Sequence, residues 1–469
     1  MNKLGKVQAS ESGKAKIKSL YDKKKAGFTI ESLAKKSQAS EDQIKYLVGQ
    51  NRPNITAVDT FVIENVVNAI NAGLEKNGMD ERLKPSDIVD DWFPPLIPDE
   101  FKTVIADKTQ IFCGRKFVFN AIQEFIENNK SGYFTIIGDA GMGKSAIAAK
   151  YIVDNPGTSC FFNIRAEGKN RPDIFVKLIR QQLVNQFELQ KVENDDLSTL
   201  LTKANAKLSK FENFVIVIDA LDEVDQEDHG NLLNLPMYLP DKVYIILTRR
   251  PYNSDDKRLN LSPNTQYAEL DLRKYEEKSN DDVKTYILKF MGLDKYKAGL
   301  ENWINQQNHL SINKFLETIA AKSENNFMYL RYVLEAIADG FYNDEKLEQL
   351  PAGLQGYYES HWRIMGMATK PLPKDKIKII YVMCALKSAV SREMIVKYSQ
   401  EDNLKVQEVL KDWTQFLQEQ NTYQPPRYRF YHESFRDFLE RREIVEAAGV
   451  SLPEISAEIA KNMGEGLIL

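Results

Sequence analysis

Residues 138–145 of the chain read Gly-Asp-Ala-Gly-Met-Gly-Lys-Ser, which fits the pattern G-x(4)-G-K-[ST]. The glycines permit a tight, partly left-handed backbone in which consecutive N–H groups point inward. These donors and the N-terminus of the following helix would bind phosphate oxygens. An apolar strand precedes the stretch and a helix-forming run follows it. This context favours a phosphate-binding loop over a glycine turn without a ligand.

The loop predicts a site for ATP or ADP with Mg²⁺. Lys144 would reach the β- and γ-phosphates, and the Ser145 hydroxyl would ligate the metal ion. The predicted nucleotide-binding residues of this stretch are Gly138, Asp139, Ala140, Gly141, Met142, Gly143, Lys144, Ser145 and Ala146.

A second run, residues 214–218, is fully apolar and is followed by Asp219-Ala220-Leu221-Asp222-Glu223. A buried strand would deliver Asp219 at its carboxyl end, where ligands bind in open α/β sheets. We expect Asp219 to hold Mg²⁺ directly or through water, Asp222 to assist, and Glu223 to orient or activate the attacking water. Alternatively, Asp222 and Glu223 open a solvated acidic loop that continues through Asp225, Glu227 and Asp228.

A third run, residues 243–247, ends in Thr248-Arg249-Arg250-Pro251. An arginine at that edge can bond the γ-phosphate and sense its loss. We favour Arg250 for this role and expect the other arginine to be an ordinary surface or salt-bridge residue. The predicted catalytic set is therefore Lys144, Asp219, Glu223 and Arg250.

Five apolar runs alternate with helical patterns between residues 101 and 275, which predicts a parallel sheet covered on both faces. Four helical faces of period 3.6 follow, and from about residue 376 three shorter helices precede a hairpin and a final helix, which suggests a winged-helix unit. The predicted strands are Tyr133–Ile137, Cys160–Ile164, Phe214–Ile218, Val243–Leu247 and Tyr267–Leu270. The predicted helices of the second half are Asp281–Met291, Phe315–Ala321, Met328–Ala338, Gln355–Gly366, Ile377–Leu386, Ser391–Tyr398 and Leu404–Phe416, with the hairpin around Gln424-Pro425-Pro426 and the final helix from near Glu433.

These motifs resemble those of NACHT NTPases, which are P-loop NTPases of the STAND class. Residues 219–223 resemble the family's Walker B motif, and residues 248–251 resemble its sensor motif, usually Thr-Ser-Arg-Pro. The match places Arg250 on the sensor arginine, while Arg249 departs from the usual serine. The resemblance, closest to short bacterial forms, spans about residues 110–445 and implies slow, regulatory ATP hydrolysis.

Two flanking segments extend the resemblance. Residues 112–116, Phe-Cys-Gly-Arg-Lys, resemble the Gly-Arg segment that packs near adenine, so Gly114 and Arg115 are predicted nucleotide contacts. Residues 431–439 resemble the histidine motif of the family's winged helix, in which the histidine reaches the β-phosphate of ADP and locks a closed state. His432 is the matching position. The alternative is a core or surface histidine that opens a helix.

One segment departs from the wider pattern. Related domains carry Gly-x-Pro near the adenine, whereas Asn325-Asn326-Phe327-Met328-Tyr329 stands at the comparable place here and resembles the Asn-Phe-Leu-Tyr variant of many bacterial NACHT proteins. The N-terminal segment, with Leu83-Lys84-Pro85-Ser86-Asp87-Ile88-Val89, is similar to small helical domains that precede bacterial, especially cyanobacterial, NACHT modules.

The composition narrows the class of protein. The 469 residues predict about three domains, and 43% apolar with 28% charged residues is ordinary for a globular protein. No apolar run is long enough for a membrane span, and the N-terminus lacks the apolar core of a secretory signal. Cys113, Cys160 and Cys384 lie far apart without a CxxC pair, which predicts neither disulfides nor a zinc cluster and favours the reducing cytoplasm.

The charge is uneven. The net charge is −4, but residues 1–52 hold twelve Lys/Arg and five Asp/Glu, a local charge of +7 that leaves −11 for the rest. Thr29 and Ser40 would cap two helices joined by a turn at Ser37-Gln38-Ala39, with a third helix from about Val58 to Asn71, which is a helix-turn-helix pattern.

This N-terminal domain could bind DNA, could bind a protein, or could present a solvated helical face without a partner. Lysines and an arginine could contact phosphates, and three side chains of the second helix could contact base edges, but Glu41 and Asp42 at the groove-entering end of that helix suit few base contacts. The phosphate contacts would be Lys14, Lys16, Lys18, Lys23, Lys24, Lys25 and Arg52, and the base contacts Gln43, Lys45 and Tyr46.

We therefore predict a multidomain protein, α/β in its NTPase part and α elsewhere. The expected function is a nucleotide-dependent molecular switch that forms a homo-oligomer when activated, in bacterial signalling or anti-phage defence. The alternative is a DNA-binding transcriptional regulator tuned by nucleotide, and a metabolic kinase is disfavoured because no acceptor site is evident. The predicted segments are 1–83 helix-turn-helix-like, 84–109 proline-rich linker, 110–275 NTPase, 276–372 helical domain, 373–445 winged helix and 446–469 tail, with no segment for a membrane.

Overall fold

The structure is a computed structural model, which describes residues 6–21, 24–37, 39–50, 52, 54–55, 57–89, 97–155, 157–208, 213–226, 230–252, 258–307, 310–420 and 423–464. Several sequence predictions lie outside the described residues: Lys23, Gln38, Pro94, Pro95, Glu227, Asp228 and residues 465–469 of the predicted tail.

The N-terminal unit is helical and has its own hydrophobic core. Both helices of the predicted helix-turn-helix pattern are present, and Ser40 caps the second through a reciprocal pair of hydrogen bonds with Gln43. Leu33 and Ile44 point inward and are fully buried. The elements are β1 (Lys6–Val7), α1 (Glu11–Leu20), α2 (Ile30–Ser37), α3 (Glu41–Leu47), β2 (Val58–Asp59), which pairs with β1, and α4 (Thr60–Lys76).

The predicted proline-rich linker, residues 84–109, ends in a regular helix. Its last eleven residues form α5 (Asp99–Thr109), which begins directly after Pro98. Proline is compatible with the start of a helix because its missing N–H lies where the helix has no acceptor. Phe101 and Ile105, one helical turn apart, are fully buried in the core of the NTPase unit.

The middle of the chain forms a five-stranded parallel sheet in the order β4-β5-β6-β3-β7. The five predicted strands are confirmed, with ends that differ by one or two residues. Every residue of β3, β5 and β6 is buried, so helices cover both faces of the sheet. The elements are α6 (Lys116–Asn128), β3 (Gly132–Ile137), α7 (Lys144–Asp154), β4 (Ser159–Phe162), α8 (Pro172–Phe187), α9 (Leu197–Asn205), β5 (Phe214–Asp219), β6 (Val243–Arg249) and β7 (Tyr267–Asp271).

A helical unit follows the sheet, and its four predicted helices are confirmed. One helix, α11, was not predicted, although Leu300 and Trp303 give its buried face helical spacing. The elements are α10 (Glu276–Met291), α11 (Asp294–Gln306), α12 (Ile312–Ser323), α13 (Phe327–Ala338) and α14 (Gly353–Ile364).

The last unit contains the three predicted helices, the predicted hairpin and a three-stranded antiparallel sheet, in the order β8-β10-β9. The predicted tail is wrong for the described residues, because α20 packs on α15 and buries Ile455 and Ile459. One hydrophobic core joins this unit to the helical unit, with Tyr358 against Phe435. The elements are α15 (Lys374–Leu386), β8 (Val390–Ser391), α16 (Arg392–Ser399), α17 (Asn403–Asp412), β9 (Leu417–Gln420), β10 (Arg427–Phe430), α18 (Glu433–Leu439), α19 (Arg442–Ala448) and α20 (Leu452–Gly464).

Within the described part of the chain, no helix combines the length and the apolar character that crossing a membrane requires.

Candidate phosphate-binding site

The loop of residues 138–143 joins β3 to α7 at the carboxyl edge of the sheet. Gly141 and Gly143 have φ angles of +83° and +88°, a region that side chains rarely adopt. A Cβ on Gly141 would also lie 2.2 Å from the Oδ1 atom of Asn326. Residues 144 and 145 begin α7, so the unpaired N–H groups of its first turn face the same edge.

Lys144 extends over this loop. Its ammonium donates to the carbonyl oxygens of Gly138 at 2.7 Å and Asp139 at 2.9 Å. Burial lowers its pKa. Among the described residues it forms no ion pair with a carboxylate, so its charge is balanced only by carbonyl dipoles and more distant acids. An anion placed in the loop would be a stronger partner than these carbonyls.

Arg115, one of the two predicted nucleotide contacts in this segment, lies beside the phosphate loop, and Gly114 lies against Asp282 of α10. The Arg115 side chain is 2% exposed and donates to the Met142 carbonyl at 2.8 Å and to the Ser279 hydroxyl at 2.9 Å. A Cβ on Gly114 would lie 1.8 Å from the Oδ1 atom of Asp282, and the Oδ2 atom of the same carboxylate accepts from the Arg115 N–H. This segment therefore ties the loop to α10.

Asp219 ends β5 opposite the loop. Its carboxylate accepts from the Thr248 hydroxyl at 2.5 Å, and the Ser145 hydroxyl is near enough to act against the burial that raises the pKa of Asp219. The predicted metal ligands Ser145 and Asp219 are therefore neighbours, whereas Asp222 accepts from the backbone N–H of Arg250 at 3.0 Å.

The side chains of this site meet the ligand requirements of a nucleotide-bound Mg²⁺. No group of three His, Cys, Asp or Glu side chains that could hold a metal ion occurs in the described ranges. Mg²⁺ bound with a nucleotide needs fewer protein ligands, because phosphates and waters complete its octahedron. One hydroxyl and one carboxylate, from Ser145 and Asp219, fit that requirement.

The two arginines after β6 have different surroundings. Arg250 forms ion pairs with Asp222 at 3.3 Å and with Asp437 of α18 at 2.5 Å. Arg249 is buried, pairs with Glu269 of β7 at 2.7 Å and lies over the Tyr252 ring. Arg250 is therefore the arginine that faces the phosphate loop, and Arg249 belongs to the edge of the sheet.

Glu223 lies on a 3-10 turn after β5. One of its carboxylate oxygens accepts from the Arg165 N–H at 3.3 Å. Burial, followed by the nearby carboxylates of Glu433 and Asp222, raises the pKa of Glu223 to about 8. At neutral pH the group is mostly protonated, and a protonated carboxyl cannot accept a proton from water.

His432 caps the N-terminus of α18. Its Nδ1 atom accepts from the Ser434 N–H at 3.2 Å. Burial and then the cations Lys108, Arg250 and Lys144 hold its pKa well below the usual value, so the ring is neutral. His432 thus opens a helix, as one alternative had it, and also lies close to the loop lysine.

Sequence reasoning missed one polar cluster next to His432. The Tyr431 hydroxyl donates to Asp107 of α5 at 2.6 Å, and Arg331 of α13 pairs with the same carboxylate at 3.3 Å. The Lys108 ammonium donates to the Tyr431 hydroxyl at 3.4 Å. The cluster joins three units of the chain. The helical spacing of Phe101, Ile105 and Lys108 was the available signal, hidden by the flanking prolines.

A cavity of about 670 Å³ adjoins the phosphate loop. It lies between the loop, the start of α13, α14 and α18. Its lining includes Asp139, Met142, Asn326, Tyr358 and Asp437. The volume is in the range of small-molecule sites in proteins.

A known protein family matches part of the chain that forms this site. The family described as Nephrocystin 3, N-terminal, matches residues 116–243, about a quarter of the chain. That range includes the phosphate loop, Asp219 and Glu223 but neither Arg250 nor His432. No curated protein matches the chain.

Two solved structures are similar to this chain at low sequence identity. One is the Signal Transduction ATPase with Numerous Domains (STAND) protein with a tetratricopeptide repeat sensor from Pyrococcus horikoshii, with 15% identity, a TM-score of 0.36, and coverage of 72% of this chain and 44% of that one. The other is Drosophila ORC bound to DNA, with 12% identity, a TM-score of 0.33, and coverage of 74% and 98%. The chain spans less than half of the first structure. Its own parallel sheet and loop are those of a P-loop NTPase-like α/β fold.

Proposed function

We propose that this protein is a nucleotide-dependent switch of the NACHT type, which binds ATP or ADP with Mg²⁺ at residues 138–145 and hydrolyses ATP slowly. The observation that carries the proposal is the position of α18. Its Asp437 pairs with Arg250 at 2.5 Å, and its capping residue His432 lies near the cations Lys108, Arg250 and Lys144. A unit almost three hundred residues away in the chain thus reaches the phosphate site.

In the proposed closed state the loop and Lys144 bind the β-phosphate, and His432 adds a contact from α18. The neutral ring can donate an Nε2–H to a phosphate oxygen, because its Nδ1 atom accepts from Ser434. The Asp219 carboxylate and the Ser145 hydroxyl hold Mg²⁺, which neutralises phosphate charge when bound.

Hydrolysis requires two changes in this arrangement. Glu223 must lose its proton to activate water, and Arg250 must leave Asp437 to reach a γ-phosphate. Separation of α18 from the sheet would supply both, because Glu433 and Asp437 lie on that helix. Exchange of ADP for ATP would then accompany opening, and the exposed surface would form a cytoplasmic homo-oligomer in bacterial signalling or defence.

The order of three helices and three antiparallel strands in residues 374–430 supports a winged helix as the moving unit. For the N-terminal unit, the contacts of α3 support a protein partner over DNA. Gln43 is engaged in the helix cap, Lys45 pairs with Glu41, and Tyr46 is buried.

The test of the switch is solution scattering of the full chain with ADP-Mg²⁺ and with a non-hydrolysable ATP analogue. We expect a larger radius of gyration or a higher mass with the analogue. Identical scattering curves, with both nucleotides shown to be bound, would contradict the proposal. A salt-sensitive shift of genomic DNA that disappears when residues 1–80 are deleted would instead support the DNA-binding regulator.

A further inference from the structure

Donors outside the phosphate loop form hydrogen bonds with the carbonyl groups of three consecutive loop residues. The Ala140 carbonyl accepts from the Asn326 side chain at 2.8 Å, and the Gly141 carbonyl accepts from the Phe327 N–H at 2.9 Å. The Met142 carbonyl accepts from Arg115, as described above. Two of the three donors therefore belong to the helical unit, at the start of α13.

Asn326 uses both ends of its side-chain amide. Its oxygen caps α13 by accepting from the N–H groups of Met328 at 3.1 Å and Tyr329 at 3.0 Å. Its nitrogen donates to Ala140. Because the oxygen is committed to two N–H donors, the nitrogen is the end that donates a hydrogen bond to the loop. The helix cap thereby fixes the orientation of the loop contact.

On the side of Gly141, the Asn326 amide is closely packed against the loop. Gly141 lies against the Asn326 amide so closely that a Cβ would be 2.2 Å from its oxygen and 2.6 Å from its nitrogen. The Cζ atom of the Arg115 guanidinium lies over the neighbouring Phe327 ring, 4.9 Å from the ring centroid. The same ring packs edge-on against Tyr286. The start of α13 is therefore seated on the loop.

We propose that Asn326 is a positioning residue of the phosphate site. The carbonyl and the N–H of one peptide plane point in opposite directions, so a carbonyl fixed outward fixes the next N–H inward. The Asn326 contact with Ala140 thus aims the Gly141 N–H into the loop. The loop donors stay in place before a ligand arrives, and preorganisation of this kind raises affinity.

This role rests on the proposed function, since the ligand is a nucleotide phosphate. The role also adds to the proposed function, because the helical unit then contributes to nucleotide affinity through the shape of the loop. Any movement of the start of α13 changes the direction of the Gly141 N–H. A movement of the helical unit would in this way change nucleotide affinity, and nucleotide binding would in turn favour one position of the helical unit.

Two substitutions separate the loop contact from the helix cap. Asn326→Ser and Asn326→Asp both keep a side-chain oxygen that caps a helix. Both lack the nitrogen that donates to Ala140, and the aspartate adds repulsion between its carboxylate and that carbonyl. The matched control is Ser311→Ala, which removes the cap of α12 with no contact to the loop.

The readouts are the affinity of the full chain for a fluorescent ADP, the melting temperature, and hydrogen exchange of amides 140–144 without nucleotide. We expect Asn326→Ser to weaken ADP roughly three- to tenfold and Asn326→Asp roughly tenfold or more, with faster exchange in the loop. We expect Ser311→Ala to lower the melting temperature and leave both affinity and loop exchange unchanged.

Wild-type affinity and wild-type loop exchange in both Asn326 variants would overturn the proposal. So would a loss of affinity no larger than that of Ser311→Ala at an equal loss of melting temperature. If the wild-type chain binds no nucleotide, the proposed function fails by itself, and the exchange rates of amides 140–144 still decide whether Asn326 orders the loop.

Discussion

The phosphate loop and the residues proposed for hydrolysis are held by different parts of the molecule. The loop is fixed from the helical unit, through Asn326 and Phe327 at the start of α13. Arg250 is held, and Glu223 is influenced, by α18 of the last unit. Binding of a nucleotide can therefore be complete while hydrolysis is blocked, which is the behaviour that a switch with slow turnover requires.

The partners of the two cations show the same difference. Among the described residues, the hydrogen-bond partners of the Lys144 ammonium are carbonyl oxygens of its own loop, whereas Arg250 is paired with two carboxylates, Asp222 and Asp437. A phosphate need only replace weak carbonyl contacts at Lys144. At Arg250 it must compete with ion pairs, and one of these disappears only when α18 moves.

The largest effect is expected at Glu223. Glu223→Gln should slow single-turnover ATP hydrolysis roughly 100-fold or more, because it removes the group that activates water. ATP affinity should stay within about threefold of wild type, since the phosphate loop is untouched. The measurement is phosphate release from preloaded ATP, with ATP affinity determined in parallel. Hydrolysis at the wild-type rate would show that another group activates the water.

The next effect tests the loop. Lys144→Ala should weaken ADP and ATP alike by roughly 100-fold, because a charged hydrogen bond to phosphate is lost from both complexes. Calorimetric titration measures this directly. Lys150→Ala is the matched control, since that lysine lies on the same helix and pairs with Asp154. Equal affinities of the two variants would contradict the proposal that the phosphate loop binds the nucleotide through Lys144.

The same division separates what the sequence could predict from what it could not. The loop, Asp219 and the five strands follow from local patterns, because buried parallel strands are continuous apolar runs. The helices α5 and α11 were missed, α5 because prolines surround its start and α11 because its buried face is short. Boundaries were imprecise, since helix ends depend on caps and on tertiary packing.

The contacts between units could not be predicted. Asn326 was recognised as part of a motif, but its hydrogen bond to a carbonyl 186 positions away depends on how two units pack. The Asp107–Tyr431 contact joins residues 324 positions apart. The raised pKa of Glu223 likewise depends on Glu433, far away in the chain. Such effects need coordinates, because one sequence carries no record of which distant side chains meet.

A smaller effect is expected at the ion pair between Arg250 and α18. Asp437→Asn removes one carboxylate from Arg250, so the arginine should reach a γ-phosphate more often. We expect ATP hydrolysis to rise roughly three- to tenfold, because partly exposed ion pairs contribute modestly. Asp375→Asn is the control, since it removes a comparable ion pair with Lys405 elsewhere in the last unit. An unchanged rate in Asp437→Asn would show that α18 does not restrain Arg250.

The smallest effect concerns pH and again separates the two halves of the site. In the closed state the pKa of Glu223 is raised to about 8, by burial and by the carboxylates of Glu433 and Asp222. A group with a raised pKa favours the state that keeps its proton, so the closed state should weaken as pH rises through 8. Ionised Glu223 would then repel Glu433 of α18. His432 titrates on the acid side, because its pKa is lowered, and does not contribute above pH 7.

We therefore expect ADP release to become roughly two- to threefold faster between pH 7 and pH 9, a small fraction of the full linkage because other contacts still hold α18. In Glu223→Gln the side chain stays neutral at every pH, and the rate of release should be constant over the same range. Stopped-flow displacement of a fluorescent ADP measures both. An equal pH dependence in the two proteins would assign the titration to another group and leave α18 insensitive to the charge of Glu223.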